Sequence, residues 1–465
     1  MNLPRFLRSD PEHPSKTFSS LRIRNYRLFF FGQLVSVCGT WMQTVAQALL
    51  VLDLTHSGTD LGIVVALRFL PLLFFGPWGG LMADRLDKRR VLCVTQTLAG
   101  LLAGVLAFIV FHHVVTLPLI YGLALALGFV NVFDNPARQS FISEMVPTDE
   151  LRNAVTLNSV TLNMARIIGP AIAGVLIATV GIGVCFAVNA ASFGAVLISL
   201  VMMRRDELWS AAPEKRQPGQ IREGLRYVVS TPELLVPLIM ITIVGTLAWE
   251  FAVSLPLLAD RTFRGGAGTY GTMLSVMGVG AVIGGLVTAR RARMTAVGLA
   301  WSSIGWGIAI LAAAVAPRLW LELVILLFVG YGSISFNSLA KTTLQLASTP
   351  VMRGRVMALW SVAWLGSTPV GGPIVGWVGQ HAGPRWALVL GGVPTLLCGV
   401  VAFGSLRRID RRAGATTVDV TATPPPGLEV PVEQDPVASP APVAGLDSLA
   451  GPVAEPAPES TAGLP

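Results

Sequence analysis

The chain contains twelve apolar stretches, each about 20 residues long or more, separated by short polar connections. A helix of this length spans the hydrocarbon core of a bilayer, because its backbone polar groups pair within the helix. Only 13% of the 465 residues are charged, whereas soluble domains have about 25%. The sequence therefore predicts an all-α integral membrane protein with twelve transmembrane helices. In order, the predicted spans 1 to 12 are 26–52, 61–83, 91–111, 117–137, 155–179, 183–203, 234–258, 268–288, 296–316, 319–340, 356–378 and 385–406.

The basic residues predict the topology. Of the 34 lysines and arginines, 28 belong to one side of the predicted membrane and four to the other. Because basic loops stay in the cytoplasm, we expect both termini there and the protein in the cytoplasmic membrane. The net charge of +8 reflects this topology and indicates no nucleic-acid-binding face. Residues 1–25 lack the apolar core of a signal peptide.

The longest predicted cytoplasmic connection separates six spans from six others. Landmarks recur across it: Gly79-Gly80-Leu81 reappears as Gly284-Gly285-Leu286, and Gly169-Pro170 reappears as Gly372-Pro373. Two halves of the same topology are therefore expected. The predicted segments are a cytoplasmic N-terminal segment 1–25, a six-helix bundle 26–203, a central loop 204–233, a second six-helix bundle 234–406 and a disordered, acidic, Pro/Ala-rich cytoplasmic tail 407–465. Within the central loop, 221–229 forms either a helix on the membrane surface or part of a linker.

The connection after span 2 reads GGLMADRLDKRR and carries a recognisable signature. It resembles the G-x-x-x-D-R-x-x-K-R signature between helices 2 and 3 of the major facilitator superfamily, with Asp87 where glycine is usual. The matching residues are Gly80, Asp84, Arg85, Lys88 and Arg89. A basic inner loop alone would explain the cations but not the acid four residues after Gly80. The resemblance implies the major facilitator fold, two six-helix bundles.

Longer strings narrow the resemblance. RNYRLFFFGQLVSVCGTWMQTVA at 24–46 and LNMARIIGPAIAG at 162–174 resemble the transmembrane secretion effector branch. That branch includes the enterobactin exporter and macrolide or tetracycline efflux proteins. The resemblance covers about residues 18–406 and is stronger in the first half. It implies export of a siderophore-like or drug-like compound with proton coupling. We expect a monomer without cofactor or metal, whose partners are the cargo, protons and the lipid bilayer.

The resemblance also implies gate residues. In the superfamily the acid matching Asp84 packs against the start of helix 11 when the cytoplasmic side is closed, so Asp84 is expected to latch the inner gate. Arg85, Lys88 and Arg89 either add loop contacts there or serve only as topogenic charge.

A second signature lies on span 5. Gly169, Pro170 and Gly174 resemble the helix 5 motif associated with antiporters, in which small residues and proline let the two halves meet closely and bend. This motif favours export over import. Close helix packing alone would also select these residues.

Three charged residues lie well inside the predicted spans, more than three residues from either end: Arg68, Arg166 and Glu250. A charge at the centre of a bilayer costs about 2.5–3.5 kcal/mol unless it is paired or hydrated. Superfamily architecture brings helices 2 and 7 together at the outer gate. Arg68 and Glu250 are therefore expected to interact there, or each faces a watery cavity separately.

Glu250 is the leading candidate for proton coupling, because an apolar environment disfavours the charged form of a carboxyl group. Asp134 is the second candidate, although at the predicted end of span 4 it could be only a helix cap. Ala124 stands where the superfamily has its helix 4 arginine, so Arg166 is considered as a substitute. Four further acids lie at outer ends and are expected to be solvated: Asp53, Asp60, Asp260 and Glu322.

The resemblance implies that helices 1, 4, 7 and 10 line the cargo cavity. Aromatic and amide side chains without a cluster of fixed charge suit bulky, amphiphilic cargo, although each could serve only for packing. The candidates are Gln33, Trp41, Gln43, Gln47, Asn131, Trp249, Tyr331, Phe336 and Asn337.

Two other functions compete with efflux. A nutrient or metabolite importer would share the fold, but the motif on span 5 disfavours it. A membrane enzyme or a non-transporting regulator is the other class. The sequence contains no phosphate-binding loop, no H-E-x-x-H motif and no plausible nucleophile with its base, so we expect no enzyme.

Overall fold

A computed structural model of the chain describes residues 18–209, 220–290 and 295–418. Within these ranges the regular secondary structure is helical, including a 3₁₀ turn at Ser19–Arg22 and a π-helical turn at Leu258–Thr262. The α-helices are α1 (Arg24–Thr55), α2 (Gly58–Arg85), α3 (Lys88–Phe111), α4 (Leu117–Met145), α5 (Leu151–Val180), α6 (Ile182–Met202), α7 (Gln220–Ser230), α8 (Pro232–Leu247), α9 (Phe251–Leu257), α10 (Ala267–Arg290), α11 (Ala296–Val315), α12 (Leu319–Ala347), α13 (Pro350–Leu365), α14 (Thr368–His381) and α15 (Pro384–Val418).

Among the described residues, eleven helical segments are long and apolar enough to cross a membrane. One of them, Pro232–Thr262, is interrupted and contains α8, α9 and the π-helical turn. α13 and α14 are each too short to be counted, but together they cover predicted span 11. The predicted all-α fold of two six-helix bundles is therefore confirmed.

Several predicted boundaries were wrong. α4 and α12 continue seven or eight residues past the predicted ends of spans 4 and 10, and α15 continues to Val418, into the segment predicted to be a disordered tail. The expected seven-residue loop after span 2 is only Leu86–Asp87. Hydropathy marks where a helix becomes polar, whereas the helix itself continues through its polar turns. Residues 1–17, 210–219 and 419–465, which include most of the predicted N-terminal segment and tail, lie outside the described residues.

Successive membrane helices run in opposite directions, so their connections fall at two ends of the molecule. We call the end with residues 18–23, Leu86–Asp87 and α7 the basic end, because most of the lysines and arginines belong to it. The other end, with residues 56–57, 263–266 and 382–383, is called the opposite end.

The start of α3 is tied to its neighbours at the basic end. Asp87 caps the helix by accepting a hydrogen bond from the backbone N–H of Arg90, at 3.1 Å. Lys88 forms an ion pair with Glu144 of α4. Arg89 is buried and donates hydrogen bonds to the carbonyl oxygens of Leu200 (2.7 Å) and Val201 (3.1 Å). Because the last carbonyls of a helix lack intrahelical donors, Arg89 caps the end of α6.

Replacing Arg89 by alanine is expected to destabilise the fold. It leaves acceptors at the end of α6 without a donor, which costs about 1–3 kcal/mol for each buried group. The measurement is the midpoint of thermal unfolding in detergent, which should fall. Arg85→Ala is the matched control, because Arg85 is exposed at the end of α2 and its loss should leave the midpoint unchanged. Equal midpoints for the wild type and Arg89→Ala would contradict the capping role.

The two halves of the chain meet through small residues near the opposite end. α2 packs on α14, where a Cβ added to Gly62 would overlap the carbonyl oxygen of Gly372. A Cβ added to Gly376 would likewise overlap the carbonyl oxygen of Gly58. Only glycine allows the two backbones to approach this closely.

α5 and α10 form the second contact between the halves. A Cβ added to Gly271 would lie 2.5 Å from the carbonyl oxygen of Pro170. The hydroxyl of Ser275 donates a hydrogen bond to the carbonyl oxygen of Ile167, at 2.9 Å. Gly174 faces Gly268 across the same contact. The predicted motif on span 5 therefore lies at the junction of the halves.

A polar contact, which we call the opposite-end tie, also joins the halves. Gln380 Oε1 accepts hydrogen bonds from the backbone N–H of Gly58 (2.8 Å) and from Arg261 Nη2 (2.7 Å). Arg261 Nη2 also donates to the carbonyl oxygen of His56. The tie links the start of α2 to α14 and to the π-helical turn, so it holds the two halves together at this end.

Candidate functional site

The helices of the C-terminal half are interrupted at two places. α8 ends at Leu247 and α9 begins at Phe251, and α13 and α14 are separated by Gly366–Ser367. We call these places the two joints. They touch each other, because a Cβ added to Gly371 would overlap the carbonyl oxygen of Thr246.

Glu250 lies at the first joint and is only 3% exposed. Its carbonyl oxygen accepts hydrogen bonds from the backbone N–H groups of Val253 and Ser254 at the start of α9, both at 3.0 Å. Its side chain hydrogen-bonds with Thr368, the first residue of α14. Oε1 is buried and has no hydrogen-bond partner among the described residues. A titratable group therefore occupies the contact between the two joints.

Aromatic rings surround this joint. Trp249 lies 4.3 Å, centroid to centroid, from Trp364 and 6.1 Å from Trp306. Trp306 also contacts Phe251 and Phe336, at 6.5 and 5.7 Å. We call these five residues and Trp41 of α1 the aromatic cluster.

Arg166 of α5 connects the aromatic cluster to the N-terminal half. Its guanidinium carbon lies 5.6 Å from the ring centroid of Trp41 and 5.5 Å from that of Trp249, within the range of cation–π attraction. Gly169 allows this approach, because a Cβ there would lie 2.6 Å from the Cβ of Trp41. Pro170 has no N–H, so the carbonyl oxygen of Arg166 lacks its usual helical donor. The motif on span 5 thus positions a cation between the halves.

A separate polar network fills the N-terminal half. Asp134 Oδ1 accepts hydrogen bonds from Thr95 Oγ1 (2.8 Å) and Gln96 Nε2 (2.7 Å), and Oδ2 lies 3.5 Å from Arg138 Nε. Arg138 also donates to Gln33 Oε1, at 3.4 Å. Beside the network is a cavity of about 60 Å³, room for a few water molecules, lined by α1, α2, α3, α4 and α6.

Asp134 is not at a helix end, which corrects the possibility of a cap. α4 continues to Met145, so the carboxylate faces α3 from within the helix. Arg138, which was not among the candidate site residues, is part of this network. The four-residue spacing of Asp134 and Arg138 on one helix face was the signal that could have identified the pair.

The expected pair of Arg68 and Glu250 is not formed. Arg68 Nη1 lies 3.3 Å from Thr44 Oγ1 and borders the cavity of the N-terminal half. Glu250 faces Thr368 within its own half. The expectation failed because the break between α8 and α9 turns Glu250 toward α14, which an uninterrupted span 7 would not have done.

The candidates for a cargo cavity fall into separate groups. Gln33 contacts Arg138, and Gln43 and Asn131 line the cavity of the N-terminal half. Gln43 also accepts a hydrogen bond from Asn189 of α6, at 2.5 Å. Within the aromatic cluster are Trp41, Trp249 and Phe336. The others are Gln47, buried on α1, and Tyr331 and Asn337 on α12.

The gate candidates are placed as follows. Gly80 lies within α2, and Arg85 is exposed at its end. Asp84 is in the last turn of α2, but its side chain is outside the described residues. Lys88 and Arg89 belong to the first turn of α3 and bind α4 and α6 of their own half, which corrects their expected place in a loop.

Glu322 was expected to be solvated, and this prediction was wrong. The residue lies in the first turn of α12, is 0% exposed, and has both carboxylate oxygens buried without a hydrogen-bond partner. The run Leu319-Trp320-Leu321 before it and Leu323-Val324 after it was the signal that could have indicated burial.

The chain is similar to a family of membrane transporters. The profile of the transmembrane secretion effector family matches residues 15–438. The chain is 26% identical over 366 residues to the uncharacterized MFS-type transporter YfiS of Bacillus subtilis, covering 75% of this chain and 86% of that protein. It is 25% identical over 405 residues to the enterobactin exporter EntS of Escherichia coli, covering 86% and 95%. It is 25% identical over 264 residues to the staphyloferrin A transporter of Staphylococcus aureus, covering 56% and 66%.

Solved structures agree in fold. A bacterial homologue of the human lysosomal transporter Spinster, inward-facing and unoccupied, is 14% identical with a TM-score of 0.61, covering 89% of this chain and 100% of that one. The nucleoside transporter NupG is 13% identical with a TM-score of 0.65, covering 82% and 98%. At this identity the likeness concerns the fold alone.

Proposed function

Because the chain belongs to the transmembrane secretion effector family of major facilitator transporters, we propose that it is a secondary active exporter. It moves a drug-like or siderophore-like small molecule out across the cytoplasmic membrane, by alternating access and in exchange for protons. Both termini lie in the cytoplasm, as the distribution of basic residues predicts. Relatives named as an enterobactin exporter and a staphyloferrin A transporter support a siderophore-like cargo.

The observation that carries this proposal is the place of Glu250. Its buried carboxyl group lies where the two joints touch. The preceding residue, Trp249, contacts Arg166 of the N-terminal half. A change of protonation there alters the charge at a point where two helices are already interrupted. Proton binding can in this way favour one arrangement of the halves over the other.

In the proposed orientation the opposite end faces the outside. The glycine contacts and the opposite-end tie hold that end closed, which supports a state in which cargo enters from the cytoplasm. Asp84 then latches the basic end after the halves have rocked. Asp134 and Arg166 are the further candidates for proton coupling, and the cavity of about 60 Å³ beside Asp134 has room for water.

The test is accumulation of dyes, antibiotics and a siderophore in everted vesicles with an acid interior. The wild type should accumulate cargo, and a protonophore should reduce the accumulation ratio to about one, because no other free energy drives uphill movement. Asp84→Asn should slow the initial rate, whereas Asp87→Asn, at the exposed cap of α3, is the matched control and should not.

Each outcome tests a separate part of the proposed function. Accumulation that survives the protonophore contradicts proton coupling. Equal initial rates for the wild type and Asp84→Asn contradict the latch. A wild type that moves no compound of the panel contradicts drug-like and siderophore-like cargo.

A further inference from the structure

Arg166 has no anionic partner among the residues that the structure describes. It forms no ion pair and no hydrogen bond with the side chains that the structure describes, and its buried Nε lacks an acceptor. Glu250, which follows Trp249 in the chain, faces Thr368 instead. What holds the guanidinium is the pair of ring faces of Trp41 and Trp249.

An unpaired arginine inside a membrane protein is costly. Insertion scales place the cost near 2.5–3.5 kcal/mol at the centre of a helix. Two cation–π contacts offset only about 0.5–2 kcal/mol each, and they leave the N–H donors of the guanidinium without acceptors. Arg68, the other intramembrane arginine, has a hydroxyl of its own half within reach. A missing acceptor at Arg166 therefore points to a ligand.

The rings beside Arg166 are held in place and come from different halves. Gly169 packs directly on Trp41, and Trp249 packs against Trp364 in a tilted arrangement, with ring centroids 4.3 Å apart. An apolar group placed on these rings would contact α1 of one half and the first joint of the other. The same position brings a charged group of that ligand to the guanidinium.

We propose that Arg166, Trp41 and Trp249 form the site that recognises an anionic cargo; this inference rests on the proposed function. The negative charge of the cargo is shared by two adjacent oxygens, and the rest of the molecule is an apolar, planar body. The planar guanidinium offers parallel N–H donors that match such a pair of oxygens, as in a carboxylate. The tryptophan rings bind the planar body. In this proposal Arg166, named above as a further candidate for proton coupling, recognises the cargo instead.

The test is equilibrium binding to the purified full-length protein in lipid nanodiscs. The two probes are 2-naphthoate and its neutral isostere 2-naphthamide, which differ in charge and not in shape. The wild type should bind the carboxylate about tenfold more tightly or better, as expected for hydrogen bonds to a charged group. Arg166→Gln should remove this preference. Arg166→Lys, which keeps the charge but lacks the parallel N–H donors of the guanidinium, should keep only part of the preference.

Arg68→Gln is the matched control and should keep the full preference, because Arg68 lies beside Thr44 in the N-terminal half. Size-exclusion profiles and thermal midpoints show whether each variant is folded. The proposal is overturned if the wild type shows no preference or binds neither probe, or if folded Arg166→Gln retains the wild-type preference.

Vesicle transport separates this site from the proposed function. If the wild type prefers 2-naphthoate in nanodiscs while vesicles move no compound, the site stands and the exporter assignment fails. If vesicles export neutral dyes while no preference is found, the exporter assignment stands and the anion site fails.

Discussion

Glu250→Gln is expected to abolish uphill export while leaving the protein folded. Glutamine has nearly the shape of a protonated glutamate and can still hydrogen-bond with Thr368, but it cannot release a proton. In everted vesicles with an acid interior, the accumulation ratio of the variant should fall to about one, because cargo is no longer coupled to the proton gradient. Exchange of labelled for unlabelled cargo should continue, since it needs no net proton transfer.

The matched control is Glu322→Gln. Glu322 is also a buried carboxyl group in a membrane helix, but it lies in the first turn of α12, away from the contact between the joints. This variant should retain the dependence of accumulation on the proton gradient. Uphill export by Glu250→Gln would place proton coupling elsewhere, with Asp134 as the next residue to test.

Gly62→Val is expected to stop transport by a different route. The added side chain would overlap the carbonyl oxygen of Gly372, so α2 and α14 could no longer approach as they do here. Overpacking of this kind costs about 1–3 kcal/mol. A coupling free energy of that size shifts the balance between two conformations about 5- to 150-fold, here away from closure of the opposite end.

Two measurements check this expectation. Cargo accumulation should fall, and a cysteine introduced at Val375, a buried residue of α14, should react faster with a water-soluble maleimide when Gly62 is valine. Gly122→Val is the matched control, because a Cβ at Gly122 of α4 meets no atom within 4 Å. Normal accumulation by Gly62→Val would show that closing the opposite end does not require this contact.

The membrane helices were predictable from the sequence because hydropathy marks apolar runs long enough to span a bilayer, whereas their arrangement in two bundles followed from the internal repeat and the family resemblance. A charged residue within an apolar run is also conspicuous, which is why Glu250 and Arg166 could be selected. Their partners could not be predicted. The break after α8 directs Glu250 toward α14, and no local pattern placed that break between Leu247 and Phe251.

Contacts between distant segments of the chain could not be predicted from the sequence either. Lys88 and Arg89 looked like loop charges, yet they begin α3 and bind α4 and α6. The cation–π contacts of Arg166 join it to Trp41 and Trp249, which lie 125 and 83 positions away from it in the sequence. From the sequence, Arg166 was a candidate for proton coupling and the two tryptophans were candidates for the cargo cavity. Only the packing of α5 against α1 and the first joint brings the three side chains together.

The two joints have a consequence for the symmetry of the molecule. The halves are repeats in sequence, yet among the described helices both joints belong to the second half, whereas α1 to α6 are continuous. The first half is therefore suited to move as a rigid body, stabilised by the network around Asp134 and Arg138. The second half is suited to bend. Two halves that repeat one architecture are therefore expected to differ in stiffness.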